Sequence, residues 1–171
     1  MPQLYVSFST PIDFKALSFI IKKTLNTEFS HVEIKFKSDK FDRVLIYQAS
    51  GLAVNFVEEQ RFMKSHKILH EFVLDVSEET YIKTIQFAID HAGVPYGISQ
   101  IFGILYVKVL ELFGKRVKNP FPNGNGNYVC SELVAQILKE KIGLAGDIEL
   151  DTIDPKEVLE LLQKNDVLEI V

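Results

Sequence analysis

Segments in which apolar and polar residues alternate crowd the first 76 positions of this 171-residue chain, whereas the stretch from 77 to 142 carries helical periodicity almost throughout. The pattern therefore predicts an α+β fold, with an antiparallel sheet of five or six strands packed against helices in one domain spanning 1–171. At this length a chain buries a core of ordinary size without covalent staples. It must do so here, because one cysteine cannot form an internal disulfide.

Strand character is read at 3–8, 31–36, 43–49, 52–57 and 68–76, with a charged turn at 37–42 and a closing edge strand at 167–171. Between the first two strands, Thr10-Pro11-Ile12-Asp13 reads as a helix start, and Phe14, Leu17, Ile20, Ile21 and Leu25 follow at helical spacing. Ser77 is expected to cap a helix running to His91 and burying Tyr81, Ile82, Ile85, Ala88, Ile89 and Ala92. Gly93-Val94-Pro95-Tyr96-Gly97 interrupts it. A strongly apolar helix at 98–113 comes next and reads as packed, since Gln100, Lys108 and Glu111 interrupt it and it is short for a membrane span. Residues 115–127 read as a loop bordering the substrate cleft, 130–142 as a helix ended by Gly143, and Asp154-Pro155-Lys156-Glu157 as the start of a last helix.

A net charge of −4 with dispersed Lys and Arg excludes the basic footprint of a nucleic-acid partner. The first residues lack the positive and continuously apolar regions of a secretory signal. The expectation is a cytoplasmic protein, or one exported or carried in a virion by a route without a signal peptide.

Chemistry concentrates at Cys130, which opens the predicted helix directly behind the Pro/Gly/Asn loop. Free N–H groups and the positive end of a helix dipole favour thiolate, so the position predicts a cysteine with a depressed pKa. The apolar stripe Val129, Leu133, Val134, Ile137 and Leu138 turns its sulfur inward. A nucleophilic thiol needs a base, and His31 at the head of an alternating run is the candidate.

At these residues the chain resembles the circularly permuted, papain-like branch of the NlpC-type peptidases, especially YiiX-like hydrolases. The histidine strand Ser30-His31-Val32-Glu33-Ile34 precedes the cysteine helix Tyr128-Val129-Cys130-Ser131-Glu132-Leu133-Val134, in that branch's order. Tyr47-Gln48-Ala49-Ser50-Gly51-Leu52-Ala53-Val54 is similar to the family segment carrying the third polar residue, and Gly93-Val94-Pro95-Tyr96 to its Gly-x-Pro-Tyr element. The resemblance implies a permuted papain-like fold and a cysteine peptidase or amidase acting through an acyl-thioester. Cys130 would be the nucleophile, His31 the base and Gln48 the orienting residue. Tyr96 and, by adjacency, Tyr128 would line the substrate site, and no metal or cofactor is required. The implied substrates are peptides or amides, including cell-wall peptides and amides carrying a lipid or an amino acid.

Two departures accompany the resemblance. The third position is commonly an acid in YiiX-like proteins but is Gln48 here. Glu33 stands two residues after His31, on the same strand face, and is an alternative orienting group, although a solvated charge is the plainer reading. His66 and His70 read as ordinary strand histidines, and Asp147, Glu149, Asp151 and Asp154 as a solvated acidic loop without the glycine and terminal glutamate of an EF-hand. Two other functions stay open: an acyltransferase, whose usual Asn-Cys-Glu-His signature Cys130-Ser131-Glu132 does not match, and a binding or structural module that has lost turnover.

Overall fold

A computed structural model describes residues 2–37, 43–121, 126–144, 146 and 148–171. Among the described residues six antiparallel strands form one sheet: β1 (Gln3–Pro11), β2 (His31–Lys37), β3 (Leu45–Ser50), β4 (Ala53–Glu58), β5 (His66–Leu74) and β6 (Leu168–Glu169), in the spatial order β4-β3-β2-β1-β5-β6. The helices among the described residues are α1 (Ala16–Leu25), α2 (Glu59–Phe62), α3 (Glu78–Asp90), α4 (Ile98–Leu112), α5 (Cys130–Ile137) and α6 (Pro155–Lys164). The molecule is α+β, as the distribution of alternating segments requires.

One face of the sheet makes the main core. Leu4, Val6 and Phe8 of β1, with Val32 and Ile34 of β2, pack against Leu133, Val134 and Ile137 of α5. Complete burial of each such side chain contributes about 1.5–3 kcal/mol. The helix ends follow local chemistry. Ser77 Oγ accepts from the Thr80 N–H at the start of α3, and Asp154 and Glu157 form a reciprocal capping box around Pro155 at the start of α6. α5 runs on through a π-helical turn, Leu138–Ile142, and stops at Gly143, whose φ of 79° suits a residue without a Cβ.

Several expectations are corrected. Thr10 does not cap a helix: β1 continues through Thr10 and Pro11, which pair with Lys67 and His66 of β5. Ladder pairing outweighs the local capping signal, and proline is tolerated at a strand end. α1 starts only at Ala16, leaving Phe14 outside the helix and exposed, along with Ile20. α3 turns Tyr81, Thr84, Phe87 and Ala88 inward rather than Ile82 and Ile89, which face solvent. The short α2 carries too little periodicity to be read from sequence. It is held by Glu58, whose side chain accepts the Arg61 N–H. The expected turn at 37–42 lies largely outside the described residues, as do Asp147 of the acidic loop and positions 122–125 of the loop before Cys130. Glu149 and Asp151 are exposed, but Asp154 is buried, capping α6 and lying 3.3 Å from Lys108 Nζ.

Candidate active site

β2 pairs with β1 along its whole length, yet with β3 only through Ile34, Lys35 and Phe36, opposite Tyr47, Ile46 and Leu45. Beyond that point Gln48, Ala49 and Ser50 pair with β4 alone. The sheet is therefore split at the His31 end of β2, and α5 packs against both separated strands. The split frees the Val32 N–H, which no longer meets β3 and donates to the Cys130 sulfur instead. α5 has no side-chain cap at Val129, so the Cys130 and Ser131 N–H groups of its first turn also reach the sulfur.

His31 and Gln48 meet across the same split. His31 Nε2 lies 2.8 Å from Gln48 Oε1, which can only accept, so Nε2 carries the hydrogen and Nδ1 keeps its lone pair. The amide is oriented from behind. Gln48 Nε2 donates to Asn55 Oδ1 at 3.4 Å, and Asn55 Nδ2 donates to the Ala53 carbonyl at 2.8 Å. Sequence reading missed Asn55, although the hairpin register that sets it directly opposite Gln48 was available from the turn at Ser50-Gly51.

Burial governs the protonation states. Cys130 is 4% exposed. Burial pushes its thiol up to about 11, outweighing the N–H groups of Val32, Ser131 and Cys130 itself, while nearby Glu33 adds to the rise. The expected depressed cysteine is thus corrected: a helix start favours thiolate only where water or a cation shares the charge, and here the sulfur is enclosed. Burial likewise lowers the His31 imidazole to about 4, partly offset by the Gln48 bond and reinforced by His66. Thiol and imidazole are both neutral at pH 7.

Glu33 is not a solvated charge. It is fully buried, accepts from Ser9 Oγ at 3.0 Å, and has one oxygen, Oε1, without a hydrogen-bond partner. Burial drives its carboxyl well above the ordinary range, against the Ser9 bond and the Lys35 charge. Its Oε2 stands 3.9 Å from His31 Nε2, too far to compete with Gln48 for the ring hydrogen. Further along the same face Lys35 pairs with Glu71 at 2.5 Å and with Glu59, and these bonds and charges outweigh burial to hold its pKa above the lysine norm.

Tyr96 and Tyr128 separate. The Tyr96 hydroxyl contacts the Cys130 sulfur, and burial together with that contact holds it well above the usual tyrosine pKa. Tyr128 bonds Gln136 through its side chain and lies edge-on to His91, outside the cavities around Cys130 and His31. Its main chain matters more: Tyr128 N donates to Pro95 O and Gly97 N donates to Tyr128 O, which fastens the Tyr96 segment beside α5.

Two spaces lie at the candidate site, and Cys130 lines the smaller of them. An open cleft of about 400 Å³ is bordered by Ser30, His31, Gly51, His66 and Tyr96. That volume lies within the range of small-molecule sites, roughly 300–1,000 Å³. Behind it a narrow apolar cavity of about 30 Å³, lined by Ile21, Ile101, Ile104, Leu105 and Val129, reaches Cys130. Ser30, Ile21 and Tyr96 border both. His66, read from sequence as an ordinary strand residue, lies at the cleft with its ring stacked on Phe62 at 4.3 Å and 6.3 Å from the His31 ring. His70 is remote from it, bonded to Glu169 of β6 at 2.6 Å. Among the described residues there is no cluster of His, Cys, Asp and Glu able to hold a metal ion.

No protein-family model matches the chain, and a search of curated proteins finds no match. The class that the fold and the site define is an α+β protein with a buried thiol at a helix start and an oriented imidazole on the adjoining strand.

Proposed function

We propose that this protein is a cysteine hydrolase of the permuted papain-like, NlpC type, cleaving an amide or peptide bond through an acyl-thioester. The observation that carries the reading is the His31 Nε2–Gln48 Oε1 hydrogen bond. It spends the ring's one hydrogen on the amide and leaves Nδ1 as a base at the split that Cys130 enters.

In this mechanism Cys130 Sγ attacks the substrate carbonyl carbon as its proton passes to His31 Nδ1. The carbonyl electrons move to oxygen, and the Cys130 N–H and the Tyr96 hydroxyl donate to that oxyanion. Collapse expels the amine with the proton from His31, leaving an acyl-thioester. Water, deprotonated by His31, then releases the acid and restores the thiol. Because thiol and imidazole rest in neutral forms, proton transfer accompanies attack, and substrate that displaces water from the cleft does not have to break an ion pair. Peptides and amides, including cell-wall fragments, are the substrate class.

The depth of Cys130 favours one second reading, a binding module that keeps the fold without turnover. Iodoacetamide labelling of native protein separates the two. Hydrolase function predicts slow alkylation at Cys130 that His31→Ala slows further, and a trapped Cys130 acyl adduct in mass spectra after exposure to substrate. Labelling only after denaturation would defeat the hydrolase reading.

A further inference from the structure

α4, read from sequence as a packed helix, packs on one side only: Ile98, Phe102, Tyr106, Val109 and Phe113 stand exposed at intervals of three and four residues, forming a continuous stripe. Phe102 is 52% exposed, Leu112 at the stripe's edge 77%. The opposite side of α4 supplies Ile101, Ile104 and Leu105 to a seam with Leu17, Ile21 and Leu25 of α1. Across that seam Phe14 and Phe19 extend the apolar surface, their rings 6.0 Å apart. Monomers seldom leave so many large apolar side chains contiguous in water, and such patches mark interaction sites.

Exposed cations are carried by both segments that neighbour α4, in a chain whose net charge is −4. On the α1 side Lys23 stands exposed, its Nζ 5.9 Å from the Phe19 ring centre, while Lys15, also exposed, borders the open cleft with His31 and His66. On the other side, residues 114–119 turn back along α4 until Asn119 packs against Gly103, so close that a Cβ there would collide with it. That return sets Lys115, Arg116 and Lys118 beside the stripe, all exposed. Acids nearby are Asp13, Glu28 and Glu111, the last 3.6 Å from Lys108.

We propose that the α1–α4 face docks on the surface of an anionic lipid bilayer, Phe102, Tyr106, Leu112 and Phe113 entering the headgroup boundary while the flanking cations meet lipid phosphates. An apolar stripe rich in Phe and Leu between rows of Lys and Arg is the surface that lies in such an interface. A second copy of the chain fits less well, because a two-fold contact would set these cations against one another. The inference is independent of the hydrolase reading. No helix among the described residues is long and apolar enough to cross a membrane, and docking requires none.

The test is sedimentation of the full chain with vesicles of phosphatidylcholine alone and of phosphatidylcholine mixed with phosphatidylglycerol. Binding to the mixed vesicles, weakened by salt, is expected. Each cation replaced in Lys115→Glu, Arg116→Glu and Lys118→Glu should lower partition about fivefold. Phe102→Ser with Leu112→Ser should lower it at least as far as the three charge changes together, with the far-UV spectrum unchanged. The chain has no tryptophan, so Phe102→Trp gives a conservative single reporter whose emission should shift to the blue on binding. Wild-type protein left in the supernatant with both vesicle types, or bound without regard to these substitutions, would overturn the proposal. So would a concentration-dependent dimer in sedimentation velocity that Phe102→Ser with Leu112→Ser dissolves, since the face would then belong to a second copy.

Discussion

The split between β2 and β3 encloses an imidazole, a carboxyl, an amide and a thiol, whereas the outer face of α4 leaves two phenylalanines, a tyrosine and a leucine in water. Both regions reverse the ordinary partition of polar and apolar groups, and a fold tolerates each reversal for a different reason. In the split, Ser9 partners Glu33, Gln48 partners His31, and Asn55 partners Gln48, so hydrogen bonds offset part of the desolvation cost, while burial still governs the charge states of His31 and Glu33. On α4 nothing among the described residues covers the exposed side chains, which costs little in the folded state.

The largest expected effect lies in the split. Cys130→Ala and His31→Ala should each reduce turnover by on the order of a thousandfold or more, the double variant losing little beyond either, as assayed on a substrate that forms the thioester. Additive losses would break the view that the two act together. His66→Ala, at the cleft but without a part in the proton path, should leave kcat intact and is read in the same assay.

Stability should follow pH in a way the α4 face cannot imitate. The folded His31 pKa, about 4, lies below that of the unfolded chain, so the unfolded state takes up more protons as pH falls through the window between the two. Stability conferred by the neutral ring is therefore complete above about pH 6.5 and lost toward pH 4, on the order of 3 kcal/mol in all. Cys130 works in the opposite sense: with its folded pKa raised to about 11, stability is lost as pH rises from about 9 toward that value. Glu33, also raised, favours the folded state below the ordinary carboxyl range and withdraws that support as pH climbs. Urea denaturation of wild type and Glu33→Gln across pH should show the variant flatter above pH 5. A parallel curve would mean that Glu33 has another partner for its charge.

A smaller effect sharpens the assignment of the orienting residue. Gln48→Ala should lower turnover roughly tenfold to a hundredfold, and Gln48→Glu should keep activity while raising the His31 pKa, followed by NMR titration of the ring. Glu33→Gln should leave turnover nearly unchanged; a large loss there would move the orienting role to Glu33. Smallest of all, Phe102→Ser with Leu112→Ser should change unfolding free energy by only about 0.5 kcal/mol or less per site, because surface positions rarely do more. Ile104→Ala on the packed side of the same helix should cost about 2–5 kcal/mol.

Much of the fold was legible because its causes are local. Alternation announced the strands of the β2-β3-β4 meander, Ser77 and Asp154 announced their helices, and Gly143 its stop. Where the reading failed, a long-range partner had overruled a local signal, as β5 did at Thr10 and Pro11. The site divided along the same line. Cys130, His31, Gln48 and Tyr96 were named from residue type, order and resemblance, and in the structure His31 bonds Gln48 while the Cys130 sulfur meets Val32 and Tyr96. The place of His66 at the cleft and the burial of Glu33 were not legible, since each depends on which strand lies beside which, whereas Asn55 followed from the local hairpin register and was overlooked.

The residues themselves determined that this chain would build an α+β body, present a lone thiol at the first turn of a helix and carry a histidine at the head of a strand. They did so through alternation, capping and periodicity, which act within a few residues. Only the tertiary structure decided the charge states and the exposed face. Desolvation depends on every atom packed around a group, so the same Cys130 that a free helix start would ionise is held neutral by enclosure. Helical spacing says which residues of α4 share a side; only the placement of α1 and the return of residues 114–119 determine which side meets water.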